Sequence, residues 1–470
     1  MGLNAAASPH PHTDATTVVR GTAFHTPVLG HIDVLSDHLF CVNAHGTLIA
    51  VVAPDHPDYA AIQQQAETQG RYTELTSGQY LLPGFIDLHV HAPQWPQSGK
   101  ALHVPLLNWL NDYTFPLEAR YQNLDFADQV YHQVVRTLLA NGTTTSVYFA
   151  TVHKEASLRL AEICLALGQR ALVGKVVMDN DSCPDFYKDA DATSAVADTE
   201  WLIQAIQALA HNPDLVLPIV TPRFIPTCSD EVLYALGQLA QKHQLHVQTH
   251  CSESDWAHQH VWDRMGKSDA QSLADFGLLT RRTLLAHANF LSPSDTALIQ
   301  AHGSALAHCP VSNAYFANSV LPVAEHLRLG THLGLATDIS GGYSPSMFDA
   351  MRQSMMSARM LEDGVNPDLT ATERGRVDSR IDFRHAFWLA TTGGGQALDL
   401  PIGHFSIGQQ WDAQLIDVNG PDSNICLYPE LDTDTDILQK IIHGAQRSNV
   451  HTVWVNGRVV HQPSSQPERA

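Results

Sequence analysis

Two histidines, His89 and His91, alternate within an apolar stretch that begins after Pro83-Gly84. The pattern predicts a short buried strand, in which alternate side chains project from one face about 7 Å apart. Two imidazoles on a rigid strand can bind one metal ion. Asp87 lies one step earlier on the same face, so we expect it to orient one of the histidines. The chain has 28 histidines, so His-x-His by chance is the competing interpretation, but the apolar setting favours a metal site.

Further candidate ligands stand at the ends of later strand-like stretches. His250 ends one of them, His287 lies in the next, and Asp338 ends the last. Together with His89 and His91, His250 and Asp338 offer the nitrogen and oxygen ligands of a catalytic zinc that keeps one position open for water. His287 is either a further ligand or a hydrogen-bond partner of that water.

A carboxylate follows one of these histidines at a short spacing. A bound metal lowers the pKa of water toward about 7, and the proton released must still reach a leaving group. Glu253, three residues after His250, is predicted to shuttle this proton. The alternative is a solvated surface glutamate. Asp338 could bind the metal and accept a proton as well.

Three other residues have the chemistry to bind a flat heterocycle. Arg223 follows the apolar stretch 215–222, and its planar guanidinium suits a carbonyl or an anion. Phe224 could stack on a ring, although plain core packing is nearly as good an explanation. Gln94 offers both a donor and an acceptor for an amide-like edge.

Lys175 interrupts the apolar stretch 172–178. In binuclear metallohydrolases a carbamylated strand lysine bridges two metals. The other interpretation is a structural ion pair with Asp87 or Asp179. We favour the ion pair, because the histidines and Asp338 already complete a single site.

These residues lie in a regular alternation of strands and helices. Apolar, strand-like stretches occur at 84–92, 142–150, 170–178, 215–223, 246–253, 283–291, 304–312 and 332–340. Helical patterns fill most of the gaps, for example 127–140, 157–167, 200–210 and 230–243. Eight strands alternating with helices predict an α/β fold, a (β/α)8 TIM barrel, whose active site lies at the carboxyl ends of the strands.

Both ends of the chain are rich in β-type residues. Strand-like stretches occur between residues 17 and 80, again at 412–418, and on either side of Asn456-Gly457, a type I′ hairpin signal. Neither end alone has enough strands to bury a face. We therefore predict a small β-sandwich domain formed from 17–80 and 405–465, a catalytic barrel over 81–404, and a disordered tail over 1–16.

Composition excludes several classes of protein. A net charge of −21 opposes binding to nucleic acid or an anionic membrane. Charged residues are 16% and hydrophobic residues 44%, as in globular proteins. No apolar run is long enough to span a membrane, and the first residues do not form a secretory signal. Seven dispersed cysteines fit free thiols in a reducing cytoplasm.

Several motifs resemble the amidohydrolase superfamily and, within it, the guanine deaminases: PGFIDLHVHAPQW, THCSE, LLAHANFLS, AHCPVSN and LGLATDISGG, with NWLNDYTFPLEARY, GKVVMD, TPRF and TDISGGYSPSMFDAMR as narrower matches. The resemblance implies hydrolysis of guanine to xanthine and ammonia, a step of purine catabolism and salvage, with one Zn²⁺ per chain. It implies His89, His91, His250 and Asp338 as zinc ligands and Glu253, His287 and Asp338 as catalytic residues. Gln94, Arg223 and Phe224 would bind the purine. A cytosolic homodimer is also implied.

Two alternatives stay open at this point. One is a deaminase of a related aminoheterocycle, such as a pterin (isoxanthopterin) or a triazine. The other, from a different class, is a metal-free homologue that acts as a binding or assembly protein.

Overall fold

The computed structural model describes residues 14–420 and 422–463. Its strands are β1 (Ala15–His25), β2 (Asp33–Asn43), β3 (Leu48–Val52), β4 (Tyr72–Glu74), β5 (Gln79–Pro83), β6 (Phe85–His91), β7 (Thr143–Phe149), β8 (Arg170–Gly174), β9 (Val176–Val177), β10 (Val216–Pro222), β11 (His246–Cys251), β12 (Thr283–His287), β13 (Ala305–His308), β14 (His332–Leu335), β15 (Ala413–Asp417), β16 (Val450–Val455) and β17 (Arg458–His461).

The α-helices are α1 (Tyr59–Thr68), α2 (Leu106–Trp109), α3 (Phe115–Glu118), α4 (Leu124–Ala140), α5 (Lys154–Leu167), α6 (Ala192–Gln207), α7 (Asp230–His243), α8 (Asp255–Met265), α9 (Asp269–Asp275), α10 (Pro293–His302), α11 (Pro310–Ser312), α12 (Val323–Arg328), α13 (Met347–Asp363), α14 (Phe383–Ala390), α15 (Thr392–Leu398) and α16 (Asp434–Gly444). Short 3₁₀ or π turns occupy Ala92–Gln97, Leu110–Thr114, Ala119–Gln122, Ile225–Thr227, Asn313–Ala317 and Arg447–Asn449.

The central sheet is parallel and runs in the order β14-β13-β12-β11-β10-β8-β7-β6, with β9 paired to β10. Its two ends meet where β6 approaches the segment after β14. The N–H of Asp338 donates to the carbonyl of His89 at 2.9 Å, and the N–H of His91 donates to the carbonyl of Ile339 at 2.8 Å. The predicted (β/α)8 barrel is thereby confirmed, and each of the eight predicted stretches overlaps a strand of this sheet.

Local sequence signals set the helices that surround this barrel. The side chain of Ser229 caps α7 by accepting a hydrogen bond from the N–H of Val232. Gly168 ends α5 in the left-handed region, at φ 78°. The predicted helix at 200–210 begins earlier than expected, because Asp191 and Ser194 form a capping box that starts α6 at Ala192.

The second sheet contains strands from both chain ends, in the order β17-β16-β15-β5-β1-β2-β3, with β4 paired to β1. β5 and β15 are antiparallel, so Leu82 lies opposite Gln414. Val19 and Phe40 from the first strands pack in one cluster with Leu81 and Leu415. These residues give the sheet an apolar core of its own, which confirms the predicted separate β domain built from both chain ends.

The predicted hairpin is present as well. Asn456 and Gly457 have φ values of 51° and 76°, as a type I′ turn requires, and β16 and β17 pair on either side of them. The predicted tail lies largely outside the described residues, and its last two residues, Ala15 and Thr16, already belong to β1.

A buried ion pair joins the sheet to the barrel. Arg170, at the start of β8, donates to both carboxylate oxygens of Asp412, from Nε at 2.9 Å and Nη2 at 3.2 Å. The same carboxylate accepts the N–H of Asn456 at 2.7 Å. The exact domain boundaries stay a prediction. Among the described helices, none is both long and apolar enough to cross a membrane.

Candidate active site

Four side chains converge at the barrel closure. The Nε2 atoms of His91 and His250 lie 3.0 Å apart, and Oδ1 of Asp338 lies 3.2 Å from Nε2 of His89 and 3.6 Å from Nε2 of His91. Two ligand atoms bonded to one tetrahedral zinc at about 2.1 Å are separated by about 3.4 Å. These distances therefore match a set of donors that share one ion.

The protonation of these rings also fits a metal. Nδ1 of His250 donates to the carbonyl of Arg223 at 2.6 Å, which leaves the lone pair on Nε2. Nε2 of His89 is buried without a hydrogen-bond partner among the described residues. Burial lowers the pKa of His89, His91 and His250 well below the usual value, so all three rings are neutral and able to bind a cation.

Cys309 also lies within reach of His89, His287 and Asp338. Burial raises the pKa of its thiol well above the usual value, and Sγ contacts the carbonyl of Ala307 at 3.5 Å. We therefore do not include Cys309 in the donor set, because a thiol that keeps its proton is a poor ligand.

Glu253 and His287 lie beside this donor set. Nε2 of His287 is 3.6 Å from Oε1 of Glu253 and 3.8 Å from Oδ2 of Asp338. Glu253 is buried, and burial together with the charge of Asp338 raises its pKa to about 8. The solvated glutamate considered as an alternative does not match this environment.

Asn313 sets the tautomer of His287. Its Oδ1 already accepts from Nδ2 of Asn289 at 3.1 Å, and it lies 3.0 Å from Nδ1 of His287. An amide oxygen can only accept, so Nδ1 of His287 holds the proton. Burial lowers the pKa of His287, and the neutral ring presents the lone pair of Nε2 to the site.

Several residues around the site have a left-handed backbone although none is glycine. Ser252, His287 and Asp338 have φ values of 45°, 70° and 50°. Such conformations cost free energy and are concentrated at functional sites. Ser252 follows β11, His287 ends β12 and Asp338 follows β14, so each of these residues lies at the carboxyl end of a barrel strand.

A pocket opens next to the donor set. Its apolar walls include Trp109, Phe224 and Phe316, while Gln94 and Arg223 supply polar groups. Phe224 is buried, and its ring centroid lies 5.9 Å from that of His250. The arrangement suits a flat ring held between aromatic walls with one polar edge.

Glu118 is a site residue that the sequence did not reveal. Its carboxylate accepts from Nη1 and Nη2 of Arg223 at 2.7 and 3.2 Å, from Nε2 of Gln94 at 3.0 Å and from the hydroxyl of Tyr187 at 2.7 Å. Arg223 also lies over the ring of Phe115, 5.0 Å from its centroid. The only signal was the family motif NWLNDYTFPLEARY, which contains Glu118.

Two expectations were wrong in detail. Asp87 does not contact a histidine ring; it accepts from the N–H of His89 at 3.3 Å, and from the N–H (3.0 Å) and the hydroxyl of Thr337. Lys175 pairs with Asp189 at 2.5 Å, and not with Asp87 or Asp179. Asp179 instead accepts from Ser229. Lys175 is thus engaged in an ion pair, which leaves no support for a bridging carbamate.

Comparison with known proteins agrees with this geometry. Residues 80–460 match the Amidohydrolase family. Guanine deaminases of Homo sapiens and Mus musculus are each 37% identical, over 452 and 457 residues, which cover 94% of this chain and 96% of either protein. The crystal structure of guanine deaminase from C. acetobutylicum with bound guanine has a TM-score of 0.84 and 30% identity, and the match covers 95% of this chain and 100% of that one.

The matched region contains the whole barrel and strands of the second sheet. A relative more than 30% identical over nearly its full length shares both fold and family. This chain belongs to the amidohydrolase family.

Proposed function

We propose that the protein is a zinc-dependent guanine deaminase that hydrolyses guanine to xanthine and ammonia. The observation that supports this most is the donor set of His89, His91, His250 and Asp338. It lies beside the buried Glu253 and next to a pocket with aromatic walls. The human and mouse relatives are guanine deaminases, and the match with this chain covers nearly their whole length.

His89, His91, His250 and Asp338 would hold one zinc ion. Three neutral imidazoles and one carboxylate are the hard and borderline donors that zinc prefers. Bound zinc would act as a Lewis acid that lowers the pKa of a water molecule.

His287 would position the attacking water. Its Nε2 carries a lone pair and has no hydrogen-bond partner among the described residues, so it can accept a hydrogen bond from the water. Asn313 holds the ring in this tautomer through Nδ1. The attacking oxygen is thereby directed at the carbon that carries the amino group.

Glu253 would move protons between water and the ring. It takes a proton from the attacking water and gives it to the ring nitrogen next to the reacting carbon, which becomes tetrahedral. A pKa of about 8 suits a group that both accepts and donates a proton near neutral pH. Asp338, whose Oδ2 faces His287, would help to protonate the departing ammonia.

Arg223 and Gln94 would bind the carbonyl edge of the six-membered ring. The guanidinium donates to the carbonyl oxygen, and Gln94 pairs with the neighbouring ring nitrogen. Phe224 would cover one face of the ring. Because Arg223 is buried and already paired with Glu118, its position is fixed before substrate binds.

Substrate profiling of the zinc-loaded protein tests this proposal. We expect ammonia release from guanine, and much less from isoxanthopterin, adenine and an aminotriazine. No turnover of guanine would contradict the proposal. Elemental analysis with less than about half a zinc per chain would favour the metal-free binding homologue instead.

The quaternary structure and location follow only from the family resemblance. We infer a homodimer in the cytoplasm. Sedimentation of the purified protein and fractionation of its source cells would test the two statements separately.

A further inference from the structure

Glu118 has an unusual position for a charged residue. It lies at the end of the short helix α3 and is fully buried. Its two carboxylate oxygens are shared among three donors, Arg223, Gln94 and Tyr187. All three donors are themselves at least nine-tenths buried. The carboxylate therefore links the two polar groups of the pocket to each other.

This contact fixes which end of the Gln94 amide faces the pocket. A carboxylate accepts hydrogen bonds and cannot donate them, so the Nε2 end of Gln94 must point at Glu118. The Oε1 end is then directed away from Glu118. It is buried without a hydrogen-bond partner among the described residues, and Gln94 lines the pocket. The pocket thus presents an acceptor from Gln94 next to the donors of Arg223.

We propose that Glu118 is a positioning residue that makes the pocket specific for a carbonyl group next to a ring N–H. This inference rests on the proposed function and names the source of its selectivity. The carbonyl of guanine accepts from Arg223, and the adjacent ring N–H donates to Oε1 of Gln94. A ring with the reversed edge has an amino group next to an unprotonated ring nitrogen. Its amino group would face the N–H donors of Arg223, and its ring nitrogen would face the acceptor Oε1 of Gln94, so neither pair could form a hydrogen bond.

A purely structural role for Glu118 makes a different prediction. If the carboxylate only stabilised the fold of this segment, its replacement would weaken binding of all rings equally. If it also orients Gln94, replacement changes the preference between the two edges. The ratio of affinities for two ligands that differ only in this edge therefore distinguishes the roles.

The substitution Glu118→Gln tests the proposal. The new amide can donate to Oε1 of Gln94, which allows Gln94 to turn its NH₂ group toward the pocket. Hypoxanthine and adenine are the probes, because they have opposite edges and both lack the 2-amino group that the proposed reaction removes. Equilibrium dialysis or calorimetry with the zinc-loaded protein gives both affinities.

We expect the wild-type protein to prefer hypoxanthine by at least about tenfold, and Glu118→Gln to reduce this ratio by about tenfold or more. Glu118→Asp, which keeps an acceptor-only group, should retain the preference with weaker binding. Thr114→Val is the matched control; it removes the buried hydrogen bond from Gln97 at 2.8 Å in the same segment and should leave the ratio unchanged.

An unchanged ratio in a folded Glu118→Gln protein would overturn the proposal. If that variant fails to fold, Gln94→Met provides the second test, since loss of the oriented oxygen must reduce the preference as well, to the part that Arg223 supplies. An unchanged ratio in Gln94→Met would equally overturn it. Failure of the proposed function is seen separately, as absent ammonia release from guanine by the wild-type protein while the two probes still bind with different affinities.

Discussion

Asp87, on the first barrel strand, accepts hydrogen bonds from both the backbone N–H and the hydroxyl of Thr337, which lies just after the eighth strand. The two residues are 250 positions apart in the chain. Their contact lies beside the backbone hydrogen bonds that close the barrel. Asp87 lies two residues before His89, and Thr337 lies directly before Asp338, so the contact is adjacent in sequence to two of the proposed metal ligands.

We expect Asp87→Ala to destabilise the protein by about 2–4 kcal/mol, because three buried donors lose their acceptor. Asp87→Asn keeps one acceptor oxygen and should cost less. Urea unfolding of the metal-free proteins measures the free energy of unfolding without a contribution from zinc binding. Equal stability of Asp87→Ala and the wild type would show that the contact does not hold the barrel closed.

We expect Glu253→Gln to keep its zinc and to lose about 10²–10⁴ in kcat, because the amide cannot shuttle a proton. Asp255→Asn is the matched control: it makes the same change at an exposed position two residues further on and should retain nearly full activity. Ammonia release and elemental analysis are measured on the same samples. Near-normal turnover by zinc-loaded Glu253→Gln would reject the shuttle.

We expect His91→Gln to lower the affinity for zinc at least about 100-fold, since one of four ligands is lost. Zinc at about 1,000 times the wild-type Kd stabilises a protein by about 4 kcal/mol. At the same zinc concentration a 100-fold weaker variant gains only about 1.4 kcal/mol, so added zinc should raise the melting temperature of His91→Gln by less than half as much as that of the wild type.

His308→Gln provides the comparison for this experiment. His308 is also buried at the end of a barrel strand, and its Nδ1 has no partner among the described residues, but it is outside the donor set. The His308→Gln protein should bind about one zinc per chain. Loss of zinc in both variants would show that any buried strand-end histidine has this effect.

Stability should fall in mild acid, and His25 should contribute. Burial lowers the pKa of His25 to about 4, and its Nδ1 accepts the N–H of Phe405 at 3.0 Å. An unfolded histidine has a pKa of about 6.5, so between about pH 4 and 6.5 the unfolded chain binds the extra proton. The contribution of His25 is therefore present above about pH 6.5 and is lost as the pH falls toward 4, at up to about 1.4 kcal/mol per pH unit.

His25→Asn keeps an acceptor near the position of Nδ1 but cannot titrate. Between about pH 4 and 6.5 we expect its free energy of unfolding to change less steeply with pH than that of the wild type. The difference in slope corresponds to about one fewer proton bound on unfolding. An identical slope for His25→Asn and the wild type would contradict the assignment.

The strands and the donor set were predictable because parallel strands obey simple rules. Each barrel strand is a short apolar run, and all of their carboxyl ends lie at one rim, so polar residues after each run must be near one another. His250 and Asp338 could therefore be paired with His89 without any knowledge of three-dimensional distances. The sheet built from both chain ends was predictable because the few strands at either end need further strands as partners to bury a face.

Glu118 and Asp189 could not be found in this way. Glu118 contacts Arg223 across 105 positions from a short helix outside the strand pattern, and Asp189 lies in a loop. A buried carboxylate leaves no periodic signal in the sequence. The error at Asp87 has another cause: alternation gives the face of a strand but not the partner of a side chain on it, and Asp87 contacts Thr337 and the backbone of His89. The pairing of β6 with β7 also shifts register between Asp87 and Val90.

The antiparallel pairing of β5 with β15 has a consequence for synthesis of the protein. Residues 79–83 leave the ribosome more than 300 positions before their neighbours at 413–417. Throughout translation of the barrel, β5 therefore exposes an unpaired apolar edge, which is open to aggregation until the final strands arrive. Truncation before residue 412 would leave that edge bare permanently, and such a protein should accumulate as insoluble material even though every residue of the proposed metal site is present.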